Sequence, residues 1–249
     1  MQKIIIVGAT SGIGLALVEA FVARGWLVGA AGRNTAALER VALRSGGKIV
    51  VRRIDILSED APRELAMLAR ELGGMDVYLH VAGIGVENPR LDPEPDCRVV
   101  ETNAVGFTRM IDAARQWFLS ENDGRGRIAA ITSVAGTEGI GAMAAYSASK
   151  AFEQYYLRAI DQLSRKQHTA IKVTDIRPGW IRTPLLDERA GYPLLMTVDY
   201  AVKRIVRAIE HGRRVAVIDW RWNILAGLWR LIPRWLWVRV PVSTSPFGK

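Results

Sequence analysis

Residues 4–14 read IIIVGATSGIG, and this stretch decides the fold. Its first four residues are apolar and β-branched, which is typical of a strand buried in a parallel sheet. Glycines follow at once at positions 8, 12 and 14, and residues 15–25 have the pattern of a helix. Such a strand, turn and helix form a phosphate site, because glycine lets the backbone approach a pyrophosphate and the helix start offers N–H groups. The alternative is an ordinary tight turn.

The rest of the chain alternates strand and helix patterns without a linker. We predict strands at residues 3–7, 26–31, 48–54, 75–81, 127–132, 170–176 and 214–218. This alternation requires a parallel, doubly wound sheet with right-handed crossovers. The expected fold class is therefore α/β, a single-domain Rossmann fold of about seven strands with helices on both faces. Residues 1–219 would form the dinucleotide-binding catalytic domain, and residues 220–249 an extension that is not an independent domain.

A second pattern lies in a helix predicted at residues 144–166, where Tyr146 and Lys150 are four residues apart. Residues i and i+4 share one face of a helix, so the phenol and the ammonium would point into the same cleft. A positive charge beside a phenol favours the phenolate, which makes the tyrosine usable as a proton donor and acceptor near neutral pH. Ser133 precedes the tyrosine by thirteen residues. A tyrosine and a lysine at this spacing are weak evidence for catalysis by themselves, because such a pair arises by chance in many chains. The pair becomes significant because the glycine-rich turn is in the same chain.

Together, these motifs resemble those of the short-chain dehydrogenase/reductase family. The resemblance extends from about Lys3 to Val217. It rests on Gly8-x-x-x-Gly12-Ile13-Gly14, Asp55-Ile56, Ala82-Gly83, Asn103, Ser133, Tyr146-x-x-x-Lys150, and Pro178-Gly179 followed by Thr183. It implies a nicotinamide-dependent oxidoreductase that interconverts a carbonyl and an alcohol, commonly as a homo-dimer or homo-tetramer.

The resemblance also implies a role for each catalytic candidate. Tyr146 would be the general acid/base, and Lys150 would favour its phenolate and bond the nicotinamide ribose. Ser133 would donate a hydrogen bond to the substrate oxygen, and Asn103 would hold a water that links Lys150 to solvent. The alternatives are a strand-end hydroxyl that bonds the backbone for Ser133 and a packing residue in mid-helix for Asn103.

The end of the second strand bears on the choice of cofactor. Folds that prefer NAD usually carry an acid there, but this chain has Gly32-Arg33-Asn34. The guanidinium of Arg33 could bind a 2′-phosphate through two parallel hydrogen bonds, so we predict NADP(H), with NAD as the alternative. Asp55 would bond the adenine by resemblance, or it would cap a helix. The expected cofactor-binding residues are Gly8, Thr10, Ser11, Gly12, Ile13, Gly14, Arg33, Asn34, Asp55, Ile56, Ala82, Gly83, Tyr146, Lys150, Pro178, Gly179, Ile181 and Thr183.

The chain departs from the family pattern at two positions that belong together. The family usually has threonine at Val7 and asparagine at Val81, and these two side chains bond each other. Replacing both partners with valine removes the bond without stranding a buried polar group, which can be nearly neutral in free energy. His80, just before Val81, is expected to be a hydrogen-bonded structural residue.

Composition limits other functions. The one cysteine, Cys97, excludes an internal disulfide, and three histidines lack ligand spacing, so no metal site is expected. The first strand begins at Lys3, so we expect no signal peptide and a cytoplasmic protein. The net charge is +9, but no nucleic-acid motif accompanies it, so we expect a small-molecule substrate and no nucleic-acid partner.

The C-terminal extension is rich in tryptophan and arginine. Residues 203–239 carry nine basic residues against two acids. Apolar residues at positions 224, 225, 228, 231, 232 and 235 follow helical spacing, but Pro233 and two arginines make the run too short and too charged to span a bilayer. It could cover the pocket or a subunit interface, lie peripherally on the inner face of a membrane, or dock a partner. The first two interpretations predict a lipophilic substrate, which residues 184–196 would cover as a lid.

Two other functions remain as alternatives. A non-catalytic dinucleotide sensor or scaffold would typically have lost the tyrosine or the lysine, whereas this chain keeps Tyr146 and Lys150. An extended-family epimerase or dehydratase would have a different glycine spacing and a longer C-terminal substrate domain.

Overall fold

The computed structural model describes residues 1–43, 47–183 and 192–240. Its strands are β1 (Lys3–Val7), β2 (Leu27–Gly32), β3 (Ile49–Arg53), β4 (Val77–His80), β5 (Arg125–Ile131), β6 (Ala170–Pro178) and β7 (Val215–Ile218). They form one sheet in the order β3-β2-β1-β4-β5-β6-β7, and every neighbouring pair is parallel. The predicted α/β class and the seven strands are confirmed.

Helices cover both faces of the sheet. They are α1 (Gly12–Ala23), α2 (Thr35–Leu43), α3 (Ala61–Glu71), α4 (Pro93–Val100), α5 (Phe107–Glu121), α6 (Ala144–Lys166), α7 (Val198–Glu210), α8 (Trp220–Trp229) and α9 (Arg234–Trp237). Ile4 and Ile6 face a core shared with α1 and α7, whereas Ile5 and Val7 face a core shared with α3 and α5. This explains why β1 is apolar throughout.

The strand order reverses between β1 and β4, where open α/β sheets form their binding crevice. The two strands meet closely at their carboxyl ends, because the N–H groups of Val81 and Ala82 both donate to the carbonyl of Val7, at 2.8 and 2.9 Å. Gly8 has a φ of +96°, and a Cβ there would lie 2.5 Å from the backbone nitrogen of Ala82. The close approach therefore requires glycine at this position.

Several element boundaries differ from the prediction. Strand β5 begins at Arg125, two residues before the predicted start at 127, because Arg125 already pairs with Ala170. Strand β6 continues two residues beyond the prediction, because Arg177 and Pro178 pair with β7. In the sequence, the prolines at positions 93 and 95 favour a turn at residues 92–94, but the structure begins α4 at Pro93, a residue that suits the first turn of a helix.

A π-helical turn was not predicted. It spans Glu101–Gly106 and joins α4 to α5 in one helical run. Such turns occur mostly as insertions within α-helices and often at functional sites. Asn103 lies within this turn.

The C-terminal segment from Trp220 packs against the rest of the fold by one face. Trp222 is 2 % exposed and donates from Nε1 to the carbonyl of Leu194 at 3.3 Å. Its ring occupies the space beside Gly179, where any Cβ would clash with the indole. Trp237 is also buried and donates to the carbonyl of Gly139 at 2.8 Å. The extension thus supports the loops that follow β5 and β6.

Helix α8 ends at Trp229, four residues before Pro233, and α9 begins just after this proline. Within the described ranges, no helix is both long and apolar enough to cross a membrane.

Trp222→Ala should show how far the fold depends on this packing. Removing a buried indole leaves a cavity, so we expect the free energy of unfolding to fall by about 3–5 kcal/mol. Trp220, two residues earlier, is 69 % exposed, and Trp220→Ala should cost less than about 0.5 kcal/mol. Denaturant unfolding of both variants measures the difference. Equal losses would show that α8 is not anchored through Trp222.

Candidate active site

One cavity of about 700 Å³ opens along the carboxyl ends of the strands. All the site residues predicted from the sequence line it, except Asn34 and Asn103. The glycine-rich turn, Arg33 and Asp55 therefore border the same space as Ser133, Tyr146 and Lys150. This space brings together segments that are more than a hundred residues apart in the sequence.

The glycine-rich turn has the shape that a pyrophosphate needs. Ser11 is the extended N-cap residue of α1, so the first N–H groups of a twelve-residue helix face the turn. A Cβ at Gly14 would clash with the carbonyl oxygen of Gly8, so the helix packs against the strand end with no room for a side chain. These residues fit a dinucleotide.

Residues after β2 and β3 border the same end of the cavity. Arg33 is exposed and lines it, whereas Asn34 does not. The Asn34 side chain instead accepts from the Ala37 N–H at 3.0 Å, so it caps α2. Asp55 lines the cavity and accepts from the Leu57 N–H at 3.1 Å in the turn before α3, whose N-cap residue is Asp60, so Asp55 does not cap that helix and its bond to the adenine stays a prediction. Ile56 is buried beside it.

Helix α6 has the bounds predicted from the sequence, and it presents Tyr146 and Lys150 to the cavity. The Lys150 Nζ lies 5.8 Å from the centroid of the Tyr146 ring. Ser133 follows β5, and its hydroxyl accepts from the Ala135 N–H at 3.1 Å. Gly85 leaves room for the phenol, because a Cβ there would lie 3.1 Å from the Tyr146 ring.

Glu153 lies beside Lys150 and was missed by the sequence reasoning. The ammonium donates to both carboxylate oxygens, at 2.8 and 2.9 Å, and both side chains are almost fully buried. Burial lowers the pKa of Lys150, but attraction to Glu153 and Tyr146 outweighs it, so that pKa is raised overall. Burial raises the pKa of Glu153 to about 7 against the attraction of Lys150. A helical spacing of i, i+4 and i+7 from Tyr146 was the available signal.

Asn103 lies behind the cavity wall. Its amide accepts from the Ile84 N–H at 2.9 Å and donates to the Ile84 carbonyl and to Ser149 Oγ, at 2.8 and 3.0 Å. A Cβ at Gly83 would lie 3.2 Å from Asn103 Oδ1 and 3.3 Å from Lys150 Nζ, so both groups approach Gly83. The water-holding role of Asn103 stays a prediction.

His80 is a buried neutral residue. Its Nδ1 lies 2.8 Å from the hydroxyl of Tyr78, and its ring packs edge-on against Phe107. Burial, with the nearby charge of Lys150, lowers its pKa to about 3. These contacts agree with the structural role expected from the sequence.

The other end of the cavity is largely apolar. The sequence reasoning included Tyr192, as part of the predicted lid at residues 184–196, but did not identify Met143 or Trp180. Met143, Trp180 and Tyr192 line it, and the two aromatic rings lie 4.6 Å apart between centroids. Glu87 adds one carboxylate to the lining. Met143 lies just before α6, whereas Trp180 and Tyr192 lie in the connection between β6 and α7, so this end joins segments that are distant in the sequence. Of the predicted lid, residues 184–191 lie outside the described ranges.

Comparison with known proteins agrees with this architecture. The sequence model of the short chain dehydrogenase family matches residues 2–191. An uncharacterized oxidoreductase of Mycobacterium tuberculosis is 31 % identical, over 99 % of this chain and 97 % of that protein.

Two solved structures are also similar. A short chain dehydrogenase from Burkholderia cenocepacia in complex with NADP has a TM-score of 0.81 and 25 % identity, covering 98 % of this chain and 100 % of that one. A variant of the actinorhodin polyketide ketoreductase with NADPH has a TM-score of 0.68 and 29 % identity, covering 74 % of this chain and 72 % of that one. With the glycine-rich turn and the Tyr146–Lys150 pair at one cavity, these matches show that the chain is an oxidoreductase of the short-chain dehydrogenase family.

Proposed function

We propose that the protein is an NADP(H)-dependent oxidoreductase that interconverts a carbonyl and an alcohol on an apolar small molecule. One observation carries the proposal: Tyr146, Lys150 and Ser133 line the same cavity as the glycine-rich turn. A carbonyl reaction needs a polarising donor, a proton source and a hydride, and a bound nicotinamide supplies or accepts the hydride.

The protein supplies the other two requirements. Tyr146 donates a proton to the carbonyl oxygen in reduction and removes it from the alcohol in oxidation. Ser133 donates a hydrogen bond to the same oxygen as charge develops on it. Retention of Tyr146 and Lys150 at the cavity disfavours the non-catalytic alternative.

The preference for NADP rests on the charge at the far end of the cavity. Arg33 lines that end, and no carboxylate follows β2 before α2 begins. A guanidinium can bind a phosphate through two parallel hydrogen bonds, whereas a carboxylate there would repel it. The NADP and NADPH bound in the two similar structures agree with this choice.

An apolar substrate is supported by the opposite end of the cavity. Met143, Trp180 and Tyr192 offer thioether and aromatic surface, and Met143 belongs to a small buried cluster with Ala135 and Ile140. Burying apolar substrate area there is favourable at about 25 cal/mol per Å².

We further propose that the outer face of the extension lies on an anionic lipid surface. Trp220, Ile224, Leu228, Leu231 and Trp235 are each 54–77 % exposed. Trp220, Ile224 and Leu228 follow one another at intervals of four residues on α8, so the exposed face of that helix is apolar, as its buried face is. Leu231 lies just beyond α8, and Trp235 lies on α9. An apolar exposed face with tryptophans marks an interaction surface.

Charge favours lipid as the occupant over a second copy of this chain. Residues 220–240 contain four arginines and no acid, so a two-fold interface on this face would bring like charges together. Self-association has a separate candidate surface on α6, where Phe152, Tyr155 and Leu163 are exposed.

Tyr146→Phe tests the proton path. We expect turnover to fall by at least about 100-fold, because general acid–base catalysis contributes that much. NADPH binding should remain measurable by fluorescence titration. Tyr155→Phe on the same helix, where the side chain is 68 % exposed, should retain full turnover. Normal turnover in Tyr146→Phe would refute the assignment.

Arg33→Ala tests the cofactor preference. The dissociation constant for NADPH should rise by about 10- to 100-fold, because hydrogen bonds to a charged group contribute about 1.5–3 kcal/mol. That for NADH should change little, since NADH lacks the 2′-phosphate. Arg24→Ala, a change outside the cavity lining, is the control. Equal weakening of both nucleotides would remove the argument for NADP.

Vesicle co-sedimentation tests the lipid surface. The full chain should sediment with phosphatidylglycerol vesicles and not with phosphatidylcholine vesicles, and salt should weaken the binding. Leu231→Ser with Trp235→Ser should reduce binding at least about tenfold, because each side chain loses apolar burial of about 1.5–3 kcal/mol. Tyr155→Ser on α6 should leave binding unchanged. The proposal would be overturned if the wild type failed to bind the phosphatidylglycerol vesicles. It would also be overturned if the Leu231→Ser, Trp235→Ser variant changed its oligomeric mass but bound the vesicles like the wild type.

A further inference from the structure

A buried carboxylate continues the row of functional groups on α6. Tyr146, Lys150 and Glu153 follow one another at intervals of four and three residues, so they share one helix face. Glu153 is 1 % exposed and does not line the cavity. Among the described residues, the cavity-lining side chain to which it is hydrogen-bonded is that of Lys150.

The ammonium of Lys150 makes its hydrogen bonds to Glu153 and to the backbone of Ile131. An ammonium has three N–H donors, and here Nζ lies within 3.4 Å of both Glu153 oxygens and the carbonyl oxygen of Ile131. The distance to the carboxylate is about half the 5.8 Å that separates Nζ from the centroid of the Tyr146 ring. The carboxylate of Glu153 is therefore a closer counter-ion to the ammonium of Lys150 than the ring of Tyr146 is.

The other charged groups near Lys150 and Glu153 have partners of their own or are neutral. Within the described part of the chain, the charged groups that act on Glu153 are Lys150 and Asp175 of β6. Asp175 is itself held by Arg177 through two hydrogen bonds of 2.7 and 2.5 Å, and it accepts from Thr132. His80 lies nearby but is neutral, as described above.

The net charge of the pair depends on the state of Glu153. An ionised Glu153 makes the pair neutral, and a protonated Glu153 leaves one positive charge. Because burial raises the pKa of Glu153 to about 7, the change falls in the neutral range.

We propose that Glu153 is a positioning residue that sets, through Lys150, how tightly the Tyr146 phenol holds its proton. The inference rests on the proposed function of Tyr146 and Lys150. An ionised Glu153 weakens the field that would otherwise favour the phenolate, so the phenol keeps its proton to higher pH. That state suits proton donation to a carbonyl, which is the reductive direction.

Glu153→Gln tests the inference. The amide keeps the size and one acceptor but removes the charge. The high-pH limb of kcat/KM for carbonyl reduction should move to lower pH by about one unit, as expected for losing one charge at several ångströms in a partly polar interior. Glu153→Asp keeps the charge one methylene farther from Nζ, so it should shift the limb less, in the same direction. If Glu153→Gln does not fold, the Glu153→Asp shift decides.

A second readout needs no substrate. The phenolate absorbance of Tyr146 is obtained as the difference between each protein and the same protein carrying Tyr146→Phe. In Glu153→Gln and Glu153→Asp this absorbance should appear at lower pH than in the wild type, by the same amounts as the shifts in kcat/KM. Asp161→Asn removes a carboxylate from the same helix, fifteen residues beyond Tyr146 and about 22 Å away at 1.5 Å per residue. It should change neither readout.

The two proposals fail in different ways. Folded Glu153 variants that titrate like the wild type in both readouts would overturn the role of Glu153. A shift of the same size in Asp161→Asn would also overturn it, because the effect would not pass through Lys150. A wild type without turnover, or one that Tyr146→Phe does not impair, would overturn the proposed function, while the absorbance titration would still decide the role of Glu153.

Discussion

The buried ammonium of Lys150 is the constraint around which the rest of this site is arranged. A charge out of water is costly unless it is paired and hydrogen-bonded. Glu153 and the Ile131 carbonyl provide that compensation on the interior side. Gly83 lets the amide of Asn103 and the ammonium approach the same point of the cavity wall. On α6, Lys150 therefore lies between the buried carboxylate of Glu153 and the phenol of Tyr146, which faces the cavity.

The parts of this arrangement that follow local rules could be predicted from the sequence. The apolar β1, the glycine turn, the Tyr146–Lys150 spacing and the bounds of α6 each depend on neighbouring residues. What the sequence did not reveal depends on contacts between distant segments. The apolar end of the cavity joins Met143, just before α6, to Trp180 and Tyr192 in the connection between β6 and α7. The boundary errors at β5 and β6 have the same cause, because strand pairing extends both strands beyond their local patterns.

Glu153 is an intermediate case. Its spacing from Tyr146 was available in the sequence, but its burial was not, and without burial a Lys–Glu pair on a helix is an ordinary surface feature. Asn34 was expected at the cofactor, and that contact stays a prediction. Its side chain caps α2, a local contact that an asparagine just before a helix also predicts.

The extension links the cavity to the protein surface. Its inner face, through Trp222 and Trp237, supports the loops after β6 and β5. Its outer face presents apolar and cationic side chains to the surroundings. If the outer face lies on lipid, as we propose, an apolar substrate and the apolar end of the cavity would be close to the same surface.

The central claim is that nucleotide and proton donor meet in one cavity. A crystal structure of the protein with NADP⁺ tests this most directly. We predict the nicotinamide ring beside Tyr146 and Lys150, with the 2′-phosphate on the guanidinium of Arg33. A nucleotide bound elsewhere, or a Tyr146 side chain turned away from the nicotinamide, would contradict the account.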